Sequence, residues 1–139
     1  MKKPPLEIIS YFFPHVSVIA DPQFQPSDND YTAHPDVKVG VEHERDDGLY
    51  QVALEITLQP ESEKNNQPYS VHLVCIGIFS VYPKWPDPEK LLRITGASIL
   101  YSAAREFLIT ITARGPWDMV TLPAVSFFES PEKQPTESD

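Results

Sequence analysis

The 139-residue chain has a single cysteine, two methionines and five glycines, and its 11 basic residues are outnumbered by 20 acidic ones. Each shortage removes a class of function. One cysteine, Cys75, cannot close an internal disulfide, which fits a reducing compartment and a fold held by packing alone. Cys75 sits within "HLVCIGIF", with no cationic neighbour to activate it, so it reads as a buried inert thiol. Five scattered glycines form no phosphate-binding loop. A formal charge of -9 repels phosphate backbones and anionic headgroups, so neither nucleic acid nor a membrane surface is an expected partner. No apolar run approaches the ~18 residues of a membrane span. The start, "MKKPPLEIIS", breaks its apolar character with prolines and Glu7 and does not read as a signal peptide, which points to the cytoplasm.

Catalytic groupings are also scarce. His15, His34, His43 and His72 fall on different elements without metal-ligand spacing, and the carboxylate pairs Asp46/Asp47 and Glu42/Glu44 stand where turns and solvated strand faces want charge. No catalytic residue, metal ligand or cofactor site is assigned. The pattern favours binding over turnover. A small hydrolase or isomerase would need clustered titratable groups.

Proline is abundant, with 15 residues, and marks the joints between elements because it can neither donate to a ladder nor continue a helix. In "LYQVALEITLQ", Tyr50, Val52, Leu54, Ile56 and Leu58 alternate with more polar residues, the period of a strand with one buried face. "DVKVGVEHE" alternates likewise, and "RDDG" between the two carries an Asp-Gly hairpin signal. "YSVHLVCIGIFSVY" is apolar on both parities, as expected of a strand covered on two sides. "LEIISYFF" and "HVSVIA" read as one long strand bent at Pro14, followed by a long polar crossover from 21 to 36.

Helical signals start after these strands. Asp87 and Pro88 open a short helix that Gly96 is expected to end, and Ser98 then caps a long one that stops at Gly115-Pro116. On the long helix Leu100, Ala103, Ala104, Phe107 and Ile111, widened by Ile99 and Leu108, predict the stripe that packs on the sheet. Opposite Leu100 stands Ile109, flanked by Ser102, Thr112 and Ala113. That side is either a lone exposed isoleucine or a second contact surface, most economically a helix-to-helix interface between subunits. The expected architecture is α+β: a four-stranded antiparallel sheet with one short and one long helix on one face. It comprises one domain over 1–128 and a disordered acidic tail over 129–139.

Three stretches resemble the SecB family of export chaperones: "IGIFSVY", the helix "ILYSAAREFLITITARG" and the connector "LPAVSF". The resemblance runs from about Leu6 to Phe128 and implies a homotetramer, a dimer of dimers, that holds unfolded polypeptide in apolar grooves without ATP. It assigns client contacts to Phe24 and Tyr31 of the crossover and to Trp117, Leu122, Val125, Phe127 and Phe128 near the connector. Two departures stand out. Where the family shows acidic residues to the SecA motor, this chain aligns His15, Ile19 and His72, and the family's final helix is nearly gone. An adaptor dedicated to one partner, such as the antitoxin of a toxin-antitoxin pair, is therefore the alternative to a general export chaperone.

Overall fold

A computed structural model describes residues 4–25, 34–43, 48–59 and 67–127. Four strands, β1 (Leu6–Ala20), β2 (Asp36–His43), β3 (Leu49–Leu58) and β4 (Tyr69–Val81), form one antiparallel sheet in the order β1-β4-β3-β2. The expected strands are all present. Asp46, Asp47 and the tail 129–139 lie outside the described residues, but β2 and β3 pair as the hairpin requires, and Gly48 beside the turn has a φ of 70°. That positive φ suits glycine, which lacks a Cβ to clash.

The bend at Pro14 falls where the β1–β4 register slips between Phe12 and His15. β1 is an edge strand, so a residue without an N–H is tolerated there. At the opposite edge, Arg93 Nη1 donates to Val39 O of β2 (3.3 Å), partly covering that rim. β1 has no such cover among the described residues, and it leaves Ile8, Ile9, Tyr11, Phe12, Val16 and Ile19 exposed.

α1 (Pro88–Leu91), a π turn (Leu92–Gly96) and α2 (Ala97–Thr112) follow without interruption. Asp87 caps the start as expected, its Oδ1 accepting the Lys90 N–H (3.2 Å). Gly96, however, has right-handed helical backbone (φ −61°, ψ −46°) and ends nothing; the short and long helices are two stretches of one rod. Ser98 is not a cap either, because its hydroxyl turns back to donate to Ile94 O (2.7 Å). The rod lies on a single face of the sheet, over Val52, Leu54, Ile56, Leu73, Cys75 and Phe79, all nearly solvent-free. On β4 only this face is buried; Val74, Ile76 and Ile78 on the other are half-buried, so the expected cover on two sides is not found among the described residues. No described helix is long and apolar enough to cross a membrane.

The buried side of α2 is Ala97, Leu100, Tyr101, Ala104, Leu108 and Thr112, turned by roughly 60° from the stripe expected on a 3.6-residue wheel. The cause is residues 113–127, which return along one flank of the helix and place Val120 and Leu122 in the core. Burial therefore moves toward that flank. Ala103, Phe107 and Ile111 are left half-buried and Ile99 exposed on the other.

Candidate functional site

The returning connector is the element on which most of the candidate contacts stand. It has no regular ladder, so its polar groups need other partners. Tyr69, at the start of β4, supplies two: its hydroxyl donates to Thr112 O (3.4 Å) and accepts the Trp117 N–H (3.2 Å). Thr112 Oγ1 donates to Leu108 O (2.7 Å) and accepts the Val120 N–H (2.9 Å). Farther along, Arg105 Nε donates to Leu122 O (2.8 Å), and the Tyr101 hydroxyl donates to Pro123 O. Burial raises the Tyr101 phenol, with Arg105 opposing the shift, so this donor stays protonated at neutral pH.

At one end of the connector Trp117 meets the chain leaving β1. Its Nε1–H donates to Asp21 O (3.0 Å), and its ring stands edge-on to Phe24 with centroids 5.2 Å apart. Asp21 N–H in turn donates to Pro68 O (2.8 Å), which ties this corner to β4. Both aromatics remain half-buried. Edge-to-face pairs of this spacing hold orientation as well as area. Near the other end Phe127 stands edge-on to Tyr101 at 6.0 Å, and Val125 is half-buried beside the core. Of the candidate residues, Phe24 and Trp117 are thus brought together, while Val125 and Phe127 each pack against the core near the far end of the connector.

Two candidates are corrected. Leu122 is 0 % exposed and belongs to the core, its side chain packed in the central cluster while its carbonyl accepts from Arg105. Thr112, which the helical wheel assigns to the free back, is also 0 % exposed, and its hydroxyl bonds the connector. Ser102 and Ala113 are exposed and Ile109 is half-buried, as a free back requires. Tyr31 and Phe128 lie outside the described residues. Sequence reasoning missed a broader apolar flank: Phe13 of β1 stacks on Phe107 at 4.8 Å, and Tyr11, Val16, Ala103 and Ile99 border them on the helix-bearing side.

The opposite face of the sheet carries His15, Ile19 and His72 together, as their pairing with Val74, Ser70 and Ser17 dictates. His15 and His72 rings are 4.5 Å apart, and His72 Nε2 lies 2.6 Å from Glu55 Oε2. No group of three or more His, Cys, Asp or Glu among the described residues is arranged to hold a metal ion. Cys75 is buried, and burial pushes its thiol up to about 11.

A family model described as preprotein translocase subunit SecB matches residues 2–134. The chain belongs to the SecB family. Among solved structures, this SecB-family fold is similar to the Mycobacterium tuberculosis Rv1957 SecB-like chaperone, which was solved with a ChAD peptide from the Rv1956 HigA1 antitoxin. That likeness has a TM-score of 0.66 at 14% identity and covers 88% of this chain and 91% of the other, so it bears on the fold. No curated protein matches the chain.

Proposed function

We propose that the protein is an ATP-independent chaperone of the cytoplasm that holds extended, apolar polypeptide, with the Phe24–Trp117 corner as its principal contact. The observation that carries this reading is a surface aromatic pair in which Trp117 is held by bonds to Asp21 O and the Tyr69 hydroxyl and stands edge-on to Phe24, with exposed Met119 close by in the chain. A rigid, half-exposed aromatic corner loses little entropy on binding. Burying ~400 Å² of client apolar surface there yields roughly 10 kcal/mol gross at ~25 cal/mol per Å², against ~4 to 15 kcal/mol for association, so one site binds weakly. Several sites on one assembly raise the avidity through effective concentration.

Assembly into a homotetramer is part of the same reading. Among the described residues, the β1 edge and the Phe13–Phe107 flank present unpaired backbone and apolar side chains side by side, which is the surface a second copy covers best. The back of the helix at Ser102, Ile109 and Ala113 would serve the second contact of a dimer of dimers. Light scattering should give about 63 kDa for four chains of 15.7 kDa. Phe107→Asp should lower that mass while leaving the helical signal intact; a monomeric parent protein would count against the assembly.

The functional test is suppression of aggregation of a refolding client, followed by light scattering. Equimolar assembly should suppress it, and Trp117→Ala should weaken the effect severalfold; no suppression by the parent protein would refute the holdase reading. A second reading, a dedicated adaptor for one partner such as an antitoxin, is favoured by His15, Ile19 and His72 standing where the family shows acid to SecA. A protein that protects one antitoxin but not a panel of unfolded clients would have that role. Coupling to SecA finds no support at those three positions.

A further inference from the structure

The end of the sheet remote from Phe24 carries a second recess. The Tyr82 N–H donates to Pro5 O (2.8 Å) and the Trp85 N–H to Tyr82 O (3.0 Å), which folds the chain after β4 back beside the entry to β1. Between them lies a cleft of about 390 Å³ whose walls include Pro4, Pro5, Glu7, Tyr82, Pro83 and Trp85. The volume falls at the lower end of the ~300–1,000 Å³ common for ligand sites, enough for a short piece of chain. Tyr82 is 55% exposed and Trp85 38%. None of the Tyr82 hydroxyl, the Trp85 indole N–H or the Glu7 carboxylate has a hydrogen-bond or ion-pair partner among the described residues.

The chemistry of these walls selects a ligand. Prolines and two aromatic rings offer rigid apolar surface, and the side-chain donors among the described lining residues are the tips of the two aromatics and the Ser80 hydroxyl. A polyproline-type segment suits such a surface, because its backbone has no internal hydrogen bonds and its carbonyls point outward to accept from indole and phenol. Its proline nitrogens bring no N–H that the cleft would have to satisfy. Among the described residues Glu7 is the only charged one in the lining, and the whole chain carries -9, so the residue flanking the proline should be cationic. The same charge disfavours a phosphate-bearing ligand. We propose that this cleft binds an extended, proline-containing segment of a partner polypeptide with a lysine or arginine beside the proline. The proposal is independent of the client reading: the fifteen residues of β1 separate the cleft from the Phe24–Trp117 corner, a span of roughly 45 Å at ~3.3 Å per residue.

The chain has two tryptophans, Trp85 and Trp117, so full-length protein labelled with 5-fluorotryptophan gives one ¹⁹F signal for each site. Trp85→Phe assigns the signals. Three ten-residue peptides serve as probes: one with a repeated PxxP pattern and a terminal arginine, one with its prolines changed to alanine, and one with the arginine changed to glutamate. The first should shift the Trp85 signal and leave Trp117 unmoved. The alanine peptide should bind about tenfold more weakly, since it must pay the ordering entropy that proline removes. The glutamate peptide, and the first peptide on Glu7→Gln, should each lose about fivefold, the worth of a partly exposed ion pair. Tyr82→Ala, at an exposed position, should weaken binding without changing the melting temperature. Absence of any shift at millimolar peptide, equal binding of the alanine peptide, or a shift confined to Trp117 would each overturn the proposal. The last result would leave the client reading standing.

Discussion

Replacing Thr112 by valine keeps the side-chain shape and removes one hydroxyl. In the native fold that hydroxyl donates to Leu108 O and accepts the N–H of Val120, a residue that is itself 1% exposed. Valine strands the Val120 N–H in the core, at about 1–3 kcal/mol for an unsatisfied buried donor. Serine, by contrast, keeps both bonds and loses one buried methyl, about 1 kcal/mol. Valine should therefore be the costlier change although it is the more apolar one. With about 3–5 °C of melting temperature per kcal/mol at this chain length, the middle of the valine range, about 2 kcal/mol, gives an expected loss of about 6–10 °C for Thr112→Val, against about 3–5 °C for Thr112→Ser. Hydrogen exchange at Val120 separates the causes: it should speed up in the valine variant and stay protected in the serine variant. If valine is as stable as the parent, or serine falls below it, the hydroxyl does not fasten the connector and the account of the rotated helix face fails.

Gly115→Ala should loosen the same region. A Cβ there would collide with the Tyr69 hydroxyl and come within 2.9 Å of its Cζ, so a loss of about 1–3 kcal/mol is expected in urea unfolding, with faster proteolysis after Thr112. Cys75 should resist thiol reagents at pH 8 in the folded protein and react at once in urea. Its thiol rises from 9.0 to about 11 on folding, so the protonated form is the one the fold favours. Stability should be full below about pH 9 and decline toward pH 11, and Cys75→Ala should remove up to one proton from that slope.

The strands were legible because alternation in 49–59 and proline at the joints are local signals, and even the bend at Pro14 could be read from one residue. Helix facing was not. A wheel shows which residues are apolar, but it cannot show that the chain will double back on one flank, and it was Val120 and Leu122 that drew Tyr101 and Thr112 inward. Gly96 misled for a related reason: a glycine reads as a stop until packing over Val52 and Phe79 gives it a use inside the rod. At the candidate site, Phe24 and Trp117 came from family resemblance, and their contact is real. The bonds that hold Trp117, donated to Asp21 O and to the Tyr69 hydroxyl, join residues 96 and 48 positions apart and leave no local trace in the sequence. Polar residues far apart in the chain can be matched only after the topology is known.

The π turn at Leu92–Gly96 gives the rod a tolerance that uniform α-helix would lack. It accommodates one residue more than the regular winding needs, so Leu92 and Leu100 both reach the sheet while Arg93 still arrives at the rim of β2. Shortening the chain by a single position between Arg93 and Thr95 would let the winding relax to the ordinary pitch, keeping everything downstream in phase. The same excision within Ala97–Thr112 would swing each later side chain by about a quarter turn and tear Thr112 from its partner. Length variation in this helix is thus confined by mechanics to one short window near its beginning.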